Sequence, residues 1–192
     1  MNWGELKAAV SAYAHRTDLA PMFATFLANA EQRIYFGELN SPKLRITAMR
    51  DFATLANGTQ PAGYLEAIKV SKNGSPEIDL AARPLAAMPN EFQAYAWDGQ
   101  TLVLSRDQGF PVDLTFYKRL DSPVLDTDTN WLMTNAPNVY LSSMLVEYAR
   151  WARDDVLGVR VASDYSSAIN SLQSQDTAAR ISGSTLRMKR RT

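Results

Sequence analysis

The sequence Tyr95-Ala96-Trp97-Asp98-Gly99-Gln100-Thr101-Leu102-Val103-Leu104 places an Asp-Gly pair between two apolar runs. Because Asp-Gly readily adopts the positive φ angles of a two-residue hairpin turn, it predicts antiparallel strands on either side of Asp98-Gly99. Residues 112–117 alternate apolar and polar side chains as a half-buried strand does, and residues 64–70 form a weaker strand of the same type. Pairs containing Gly or Pro divide the surrounding region into short runs. These features predict a small antiparallel β-sheet or sandwich within residues 44–129.

The segments on either side of this region have helical periodicity. Two helices precede it: the first stops around residues 16–18, and the second has Asp18 and Pro21 at its start and ends near Gly37 or Pro42. Two longer helices follow, one starting close to Pro137 and one after Asp154-Asp155, whose carboxylates favour a helix N-terminus. The apolar positions of the four stripes are Trp3, Leu6, Val10 and Tyr13; Phe23, Phe26, Leu27, Ala30 and Ile34; Leu141, Met144, Leu145, Tyr148 and Ala152; and Val161, Tyr165, Ala168, Ile169 and Leu172.

Together these patterns predict an α+β fold with three parts. Residues 1–43 and 130–179 form one helical core, made of two N-terminal helices and a C-terminal antiparallel helix pair. Residues 44–129 form an inserted small antiparallel β domain. Residues 180–192 form an extended C-terminal arm.

Composition excludes several classes of chemistry. The 192 residues include no cysteine and a single histidine, His15, so disulfides, thiolate metal sites and zinc sites are not expected, and no cofactor is predicted. His15 lies near the predicted end of the first helix, where a capping role is the simplest interpretation. The chain has neither a long apolar run nor the layout of a signal peptide, so we expect a soluble protein that is made in the cytoplasm.

Carboxylates are the remaining candidates for catalysis or cation binding. Asp121, Asp126 and Asp128 lie in a polar connector, and Asp154 and Asp155 lie between two predicted helices. Paired carboxylates can hold a cation or hydrolyse a glycoside. The connector lacks the glycine of a calcium-binding loop, and no phosphate-binding glycine motif occurs in the chain. Solvation of a loop and capping of helices are therefore the favoured roles.

The C-terminal residues carry a separate charge. Residues 177–192 contain five basic side chains and no acidic one, a charge of +5, whereas residues 1–176 contain fifteen basic and twenty acidic side chains, a charge of −5. Such a tail can contact DNA phosphates or dock on a partner protein. Leu186 and Met188 alternate with Arg187 and Lys189, a pattern that suits strand addition or apolar pockets with a polar rim, and we favour the protein partner.

Aromatic side chains provide the other candidate contacts. Tyr140, Tyr148 and Trp151 follow the spacing of a helical core, which favours packing over the stacking of nucleic-acid bases. Trp97 is next to the predicted hairpin turn and is the better candidate for a contact with another protein.

Several stretches in order resemble the head-to-tail adaptor (connector) proteins of short-tailed bacteriophages and prophages. The similarity covers nearly the full chain, with Thr129–Thr134 and the tail as its most specific parts; Asn138 and Thr185 depart from the usual pattern. The stretches are Arg16-Thr17-Asp18-Leu19 with Phe26 to Ile34; Phe116-Tyr117-Lys118-Arg119-Leu120; Thr129-Asn130-Trp131-Leu132-Met133-Thr134 with Pro137-Asn138-Val139-Tyr140-Leu141; and Ser182-Gly183-Ser184-Thr185-Leu186-Arg187-Met188.

The resemblance implies a non-enzymatic structural protein of the virion. It implies a homo-oligomeric ring, generally a dodecamer, attached below the portal protein and above a tail or nozzle protein, with DNA passing through the lumen and no membrane contact. The inserted β domain then faces the tail, through Trp97, Asp98 and Gly99. The C-terminal arm engages the portal, through Ser182, Leu186, Arg187, Met188, Lys189, Arg190 and Arg191.

Two other hypotheses stay open at this point. One is a tail-associated enzyme that degrades peptidoglycan with the acidic residues of the connector or of the helix turn. The other is a DNA-binding protein driven by the basic tail, which predicts steeply salt-dependent binding of free DNA.

Overall fold

The structure, a computed structural model, describes residues 1–38 and 41–182. The chain divides into two units, one formed by Met1–Ala48 with the residues from Leu120 onward, and the other by Met49–Arg119. The helices belong to the first unit and the strands to the second, so the fold is α+β, as predicted.

The described residues of the first unit form five α-helices. The first helix begins at an Asn2 cap whose side chain accepts from the backbone of Glu5, and it buries Trp3, Leu6 and Val10. The α-helices are α1 (Trp3–Ala14), α2 (Phe23–Phe36), α3 (Trp131–Asn135), α4 (Pro137–Ala152) and α5 (Asp155–Ile181).

Three details at the start of this unit differ from the prediction. The first helix ends at Ala14 because His15 adopts the left-handed conformation of a C-cap, with φ 51°. Asp18 does not cap the second helix, because it pairs with Arg16, and a 3-10 turn over Ala20–Met22 leads into α2. Tyr13 lies on the predicted apolar stripe, yet its side chain is 63% exposed.

The C-terminal helices form the predicted antiparallel pair. Arg153 and Asp154 connect α4 to α5, and the Asp154 side chain caps α5 by accepting from the backbone N–H of Leu157 at 2.9 Å. Gly158 then faces Ala149 across the pair. Helices α1, α2 and α5 all pack against α4, which explains why ten of the sixteen residues of α4 are buried.

The second unit contains seven strands in two sheets. A four-stranded antiparallel sheet has the order β1-β7-β2-β3, and a three-stranded sheet has the order β4-β5-β6. The strands are β1 (Arg50–Leu55), β2 (Tyr64–Lys72), β3 (Ser75–Asp79), β4 (Ala81–Ala82), β5 (Ala94–Asp98), β6 (Thr101–Leu104) and β7 (Val112–Lys118). Residues of both sheets form one apolar core that includes Val70, Leu102 and Phe116.

The sheets add two details that the prediction lacked. The short pairing of β4 with β5 is parallel, so the region is not wholly antiparallel. In the hairpin, Asp98 pairs with Thr101, so the turn residues are Gly99 and Gln100, one position later than predicted. Gly99 has φ +58°, the conformation that a type II′ turn requires at its first central residue.

The connector after the β unit packs with the helices. The carbonyl oxygens of Asp126 and Asp128 accept hydrogen bonds from the backbone of Gly4 and Trp3, each at 2.9 Å. The β unit of the structure spans Met49–Arg119, a shorter range than the predicted inserted domain of residues 44–129. The wider domain boundaries stay a prediction.

Candidate functional site

A buried ion pair joins α2 to α4. The Arg33 side chain is 2% exposed and donates to the carboxylate of Glu147, which is 8% exposed. Arg33 also donates to the carbonyl and hydroxyl oxygens of Ser143, at 2.9 and 3.0 Å. Its guanidinium lies 5.9 Å from the ring centroid of Tyr165 on α5. One side chain therefore contacts two other helices of the unit.

The pair continues into a half-exposed outer cluster. Glu38 lies 3.1 Å from the Arg33 Nε and 3.2 Å from Arg150, and Arg150 also reaches Glu147 at 3.1 Å. Burial by itself would lower the pKa of Arg33, but the hydrogen bonds to Glu147 and Glu38 raise that pKa above its ordinary value. The two acids and two bases balance, which fits a structural cluster and not a site for a charged substrate.

A second polar network links the stretches on which the family resemblance depends. Asn130 caps α3 by accepting from the backbone of Met133, and its amide donates to the Tyr140 hydroxyl at 3.1 Å. The Tyr140 hydroxyl donates to Glu31 at 3.2 Å, and burial raises the pKa of Tyr140 well above its usual range. This network therefore fixes α2, α3 and α4 to one another and leaves no acid or base poised for catalysis.

The carboxylates of the connector have structural roles. Asp126 pairs with Lys7 of α1, and the Asp128 side chain accepts from the backbone N–H groups of Val124 and Leu125 at 2.9 and 2.8 Å. These backbone bonds hold the pKa of Asp128 below its usual value, the opposite of what a general acid in glycoside hydrolysis requires.

The remaining acids do not assemble with them. Asp154 caps α5, and the exposed Asp121 contributes its backbone carbonyl to Asn130. Asp155 is exposed in the first turn of α5. Within residues 1–38 and 41–182, no group of three or more His, Cys, Asp or Glu side chains is placed to hold a metal ion.

The hairpin presents its turn and not its tryptophan. Asp98 and Gly99 are exposed, whereas Trp97 packs against the β core, with its ring centroid 5.0 Å from that of Tyr64. The side chain of Trp97 is half-buried on the face of β5 that packs on Tyr64, and its role with Asp98 and Gly99 as a tail-facing contact stays a prediction.

The predicted arm falls almost entirely beyond the part of the chain that the structure describes. Ser182 follows the last residue of α5, and its backbone N–H donates to the Ala178 carbonyl at 2.9 Å. Leu186, Arg187, Met188, Lys189, Arg190 and Arg191 lie outside the described residues.

The Arg33–Glu147 pair was not predicted from the sequence. Both residues interrupt an apolar stripe: Arg33 follows Phe26 and Ala30 on α2, and Glu147 lies between Met144 and Tyr148 on α4. A charged residue within an apolar stripe implies a buried partner, because an unpaired buried charge is costly. The two interruptions were therefore a usable signal for this contact.

None of the described helices is long and apolar enough to span a membrane.

Comparison with known proteins identifies the family of this chain, which the geometry alone does not. No curated protein matches the chain significantly. The model of the SU10 adaptor protein family matches residues 1–189, which is nearly the whole chain. This match confirms the predicted membership of a phage adaptor family, a family of structural proteins and not of enzymes. The chain belongs to the SU10 adaptor protein family.

Proposed function

We propose that this protein forms a ring, a dodecamer, between the portal and the tail of a bacteriophage, with DNA passing through its channel. The observation that carries the proposal is the family match over residues 1–189. The protein would be made in the host cytoplasm and then occupy the neck of the virion, between the portal and a tail or nozzle protein.

The separation into two units supports a division of roles. Two polar networks connect the helices of the helical unit, which suits the rigid body of a ring. The β unit presents the exposed Asp98-Gly99 turn, and we propose that this turn, together with the half-buried Trp97, contacts the tail protein.

The basic C-terminal arm is the proposed contact with the portal, through residues 182–192, the part of the predicted arm 180–192 that follows α5. Residues 182–192 contain four basic and no acidic side chains, and Leu186 and Met188 alternate with the first two of them. A weak contact of this kind suffices in a ring, because contacts repeated around one symmetric assembly add through effective concentration.

Deletion of residues 182–192 tests this assignment. We expect the shortened chain to keep the circular dichroism spectrum and unfolding midpoint of the full chain but to stop co-sedimenting with purified portal rings. Two further variants separate the apolar from the electrostatic part of the contact. Leu186→Ser combined with Met188→Ser removes the apolar side chains, and replacement of the four basic residues by Gln removes the charge. Unchanged attachment of the deletion variant would refute the arm assignment.

A further inference from the structure

The face of α5 that points away from the rest of the helical unit has no charged residue. Helix α5 buries Val161, Tyr165 and Ile169 along one side. Helical spacing places a second set of residues on the other side, and all of them are exposed: Val156, Val159, Ser163, Ser167, Asn170, Ser174 and Ile181. We call this set the outer face of α5.

This composition is unusual for a helix face in water. The outward side of a surface helix normally carries charged side chains, whereas charged residues are depleted at the centre of protein interfaces. Val156 and Val159 are 86% and 75% exposed, one turn apart at the start of the face. The outer face therefore has the charge pattern of a contact surface, with an apolar end at the first turns of α5.

A groove on another side of the same unit offers a complementary shape. It has a volume of about 510 Å³ and lies between α1, α2 and the connector. The exposed Ala24 and Ala28 line it along α2, with the buried Trp3 and Leu27 at its base. Alanines four residues apart allow the backbone of another helix to approach closely.

Charge at the margins of the two surfaces also matches. Asp155 and Arg160 are exposed and flank the outer face of α5 on its two sides near Val156 and Val159. The groove has Lys7 and Glu31 on its margins. Within the chain Lys7 already pairs with Asp126, and Glu31 accepts from Ser122 and Tyr140. A contact that adds Asp155 beside Lys7 and Arg160 beside Glu31 would extend these polar groups with opposite charges and favour one orientation over its reverse.

The two surfaces do not overlap. Helix α5 turns its buried side toward α4, and α2 turns Phe26, Ala30 and Arg33 inward, which leaves Ala24 and Ala28 outward. A contact between two different surfaces of identical subunits is heterologous, and it generates a ring when the rotation closes.

We propose that the outer face of α5 in one copy of this chain packs into the α1–α2 groove of the next copy. This inference rests on the proposed ring and names the surfaces that would form it. From Val156 to Ile181 the face is roughly 38 Å long, and at a helix width of about 10 Å it offers about 400 Å². That is half of the ~800 Å² per partner of a standard interface, so the contact is weak alone and needs the portal as a template.

Cysteine cross-linking tests the contact directly, because the chain has no cysteine of its own. Ala24→Cys is combined in turn with Val159→Cys, Ser163→Cys and Ser167→Cys, and each double variant is assembled on portal rings and oxidised. We expect at least one pair to give a ladder of disulfide-linked multimers. Ala24→Cys with Ala162→Cys is the matched control, because Ala162 is exposed but lies about 100° around the helix from Ser163.

A second experiment introduces a charge into the proposed contact and measures how much adaptor binds to portal rings. Val159→Asp places an unpaired carboxylate in the proposed contact and should reduce the adaptor bound per portal by about tenfold or more, since a buried unpaired charge is strongly unfavourable. Ala162→Asp adds the same charge off the outer face and should bind like the unmodified chain.

The outcomes separate this inference from the function on which it rests. Adaptor that co-sediments with portal rings but gives no ladder with any of the three pairs would overturn the proposed contact and leave the adaptor function standing. Unmodified adaptor that fails to co-sediment at all would overturn the proposed function and this contact with it.

Discussion

Replacement of Glu147 by leucine is expected to destabilise the helical unit strongly. The change leaves the Arg33 guanidinium buried, with its side chain 2% exposed, and removes the carboxylate to which it donates. Removing one partner of a buried ion pair costs about 3–5 kcal/mol. Arg33 keeps Ser143 and the half-exposed Glu38 as partners, so we place the loss at the lower end, about 3 kcal/mol.

Thermal unfolding followed by far-ultraviolet circular dichroism measures this loss. For a chain of this size, about 3 kcal/mol corresponds to a fall in Tm on the order of 6–12 °C. Replacing both partners, Arg33→Met with Glu147→Leu, should restore most of the stability, because apolar residues of similar volume can replace a buried pair at little cost. Arg150→Met removes the 57% exposed member of the cluster and serves as a control, with an expected cost below about 1 kcal/mol.

The single and double variants together test whether an uncompensated buried charge causes the loss of stability. If Glu147→Leu lowers Tm no more than Arg150→Met does, the buried pair is not a significant source of stability. If the double variant is less stable than Glu147→Leu, the loss comes from packing and not from an uncompensated charge.

Two further predictions concern the β unit and acid pH. Gly58 and Gly74 both have φ +76°, but a Cβ at Gly58 would lie 2.8 Å from the Leu102 carbonyl oxygen, whereas Gly74 has open space. We expect Gly74→Ala to cost about 1–2 kcal/mol in chemical denaturation and Gly58→Ala distinctly more; equal losses would contradict the close approach. Burial alone would raise the pKa of Glu38, but the hydrogen bond from Arg33 holds that pKa below its ordinary value of 4.5 in the folded chain. In acid, the Glu38 side chain therefore binds a proton more readily in the unfolded chain than in the folded one. Stability should therefore be full above about pH 4.5 and fall as the pH drops further, and Glu38→Gln should flatten that fall in denaturation measured across pH 3–7.

Local sequence signals predicted the elements whose formation depends on nearby residues. The spacing of apolar residues identified α1, α2, α4 and α5, and the Asp154 cap marked the start of α5. Strict alternation identified β7, which lies inside the four-stranded sheet and is buried on one face. In each case the residues that determine the element lie within a few positions of it.

Elements that depend on distant partners were not predictable in this way. Strand β1 begins with Arg50 and Asp51 and becomes a strand through its pairing with β7, about sixty residues later. The Arg33–Glu147 contact joins residues 114 positions apart. Tyr13 shares an apolar stripe with Leu6 and Val10 by spacing, yet those two are buried and Tyr13 is exposed, a difference that only the tertiary fold determines.

The buried polar side chains also bear on how a ring could close. In the proposed contact, the groove lies along α2 and the outer face lies on α5, so the angle between these two helices sets the rotation from one subunit to the next. Arg33 projects from α2, donates to Glu147 on α4 and lies against the Tyr165 ring on α5. An apolar contact at this position would stabilise the unit over a range of helix angles, whereas hydrogen bonds with defined geometry favour one angle. A double variant with Arg33→Met and Glu147→Leu that regains its stability but assembles poorly on portal rings would therefore show that this pair determines geometry more than stability.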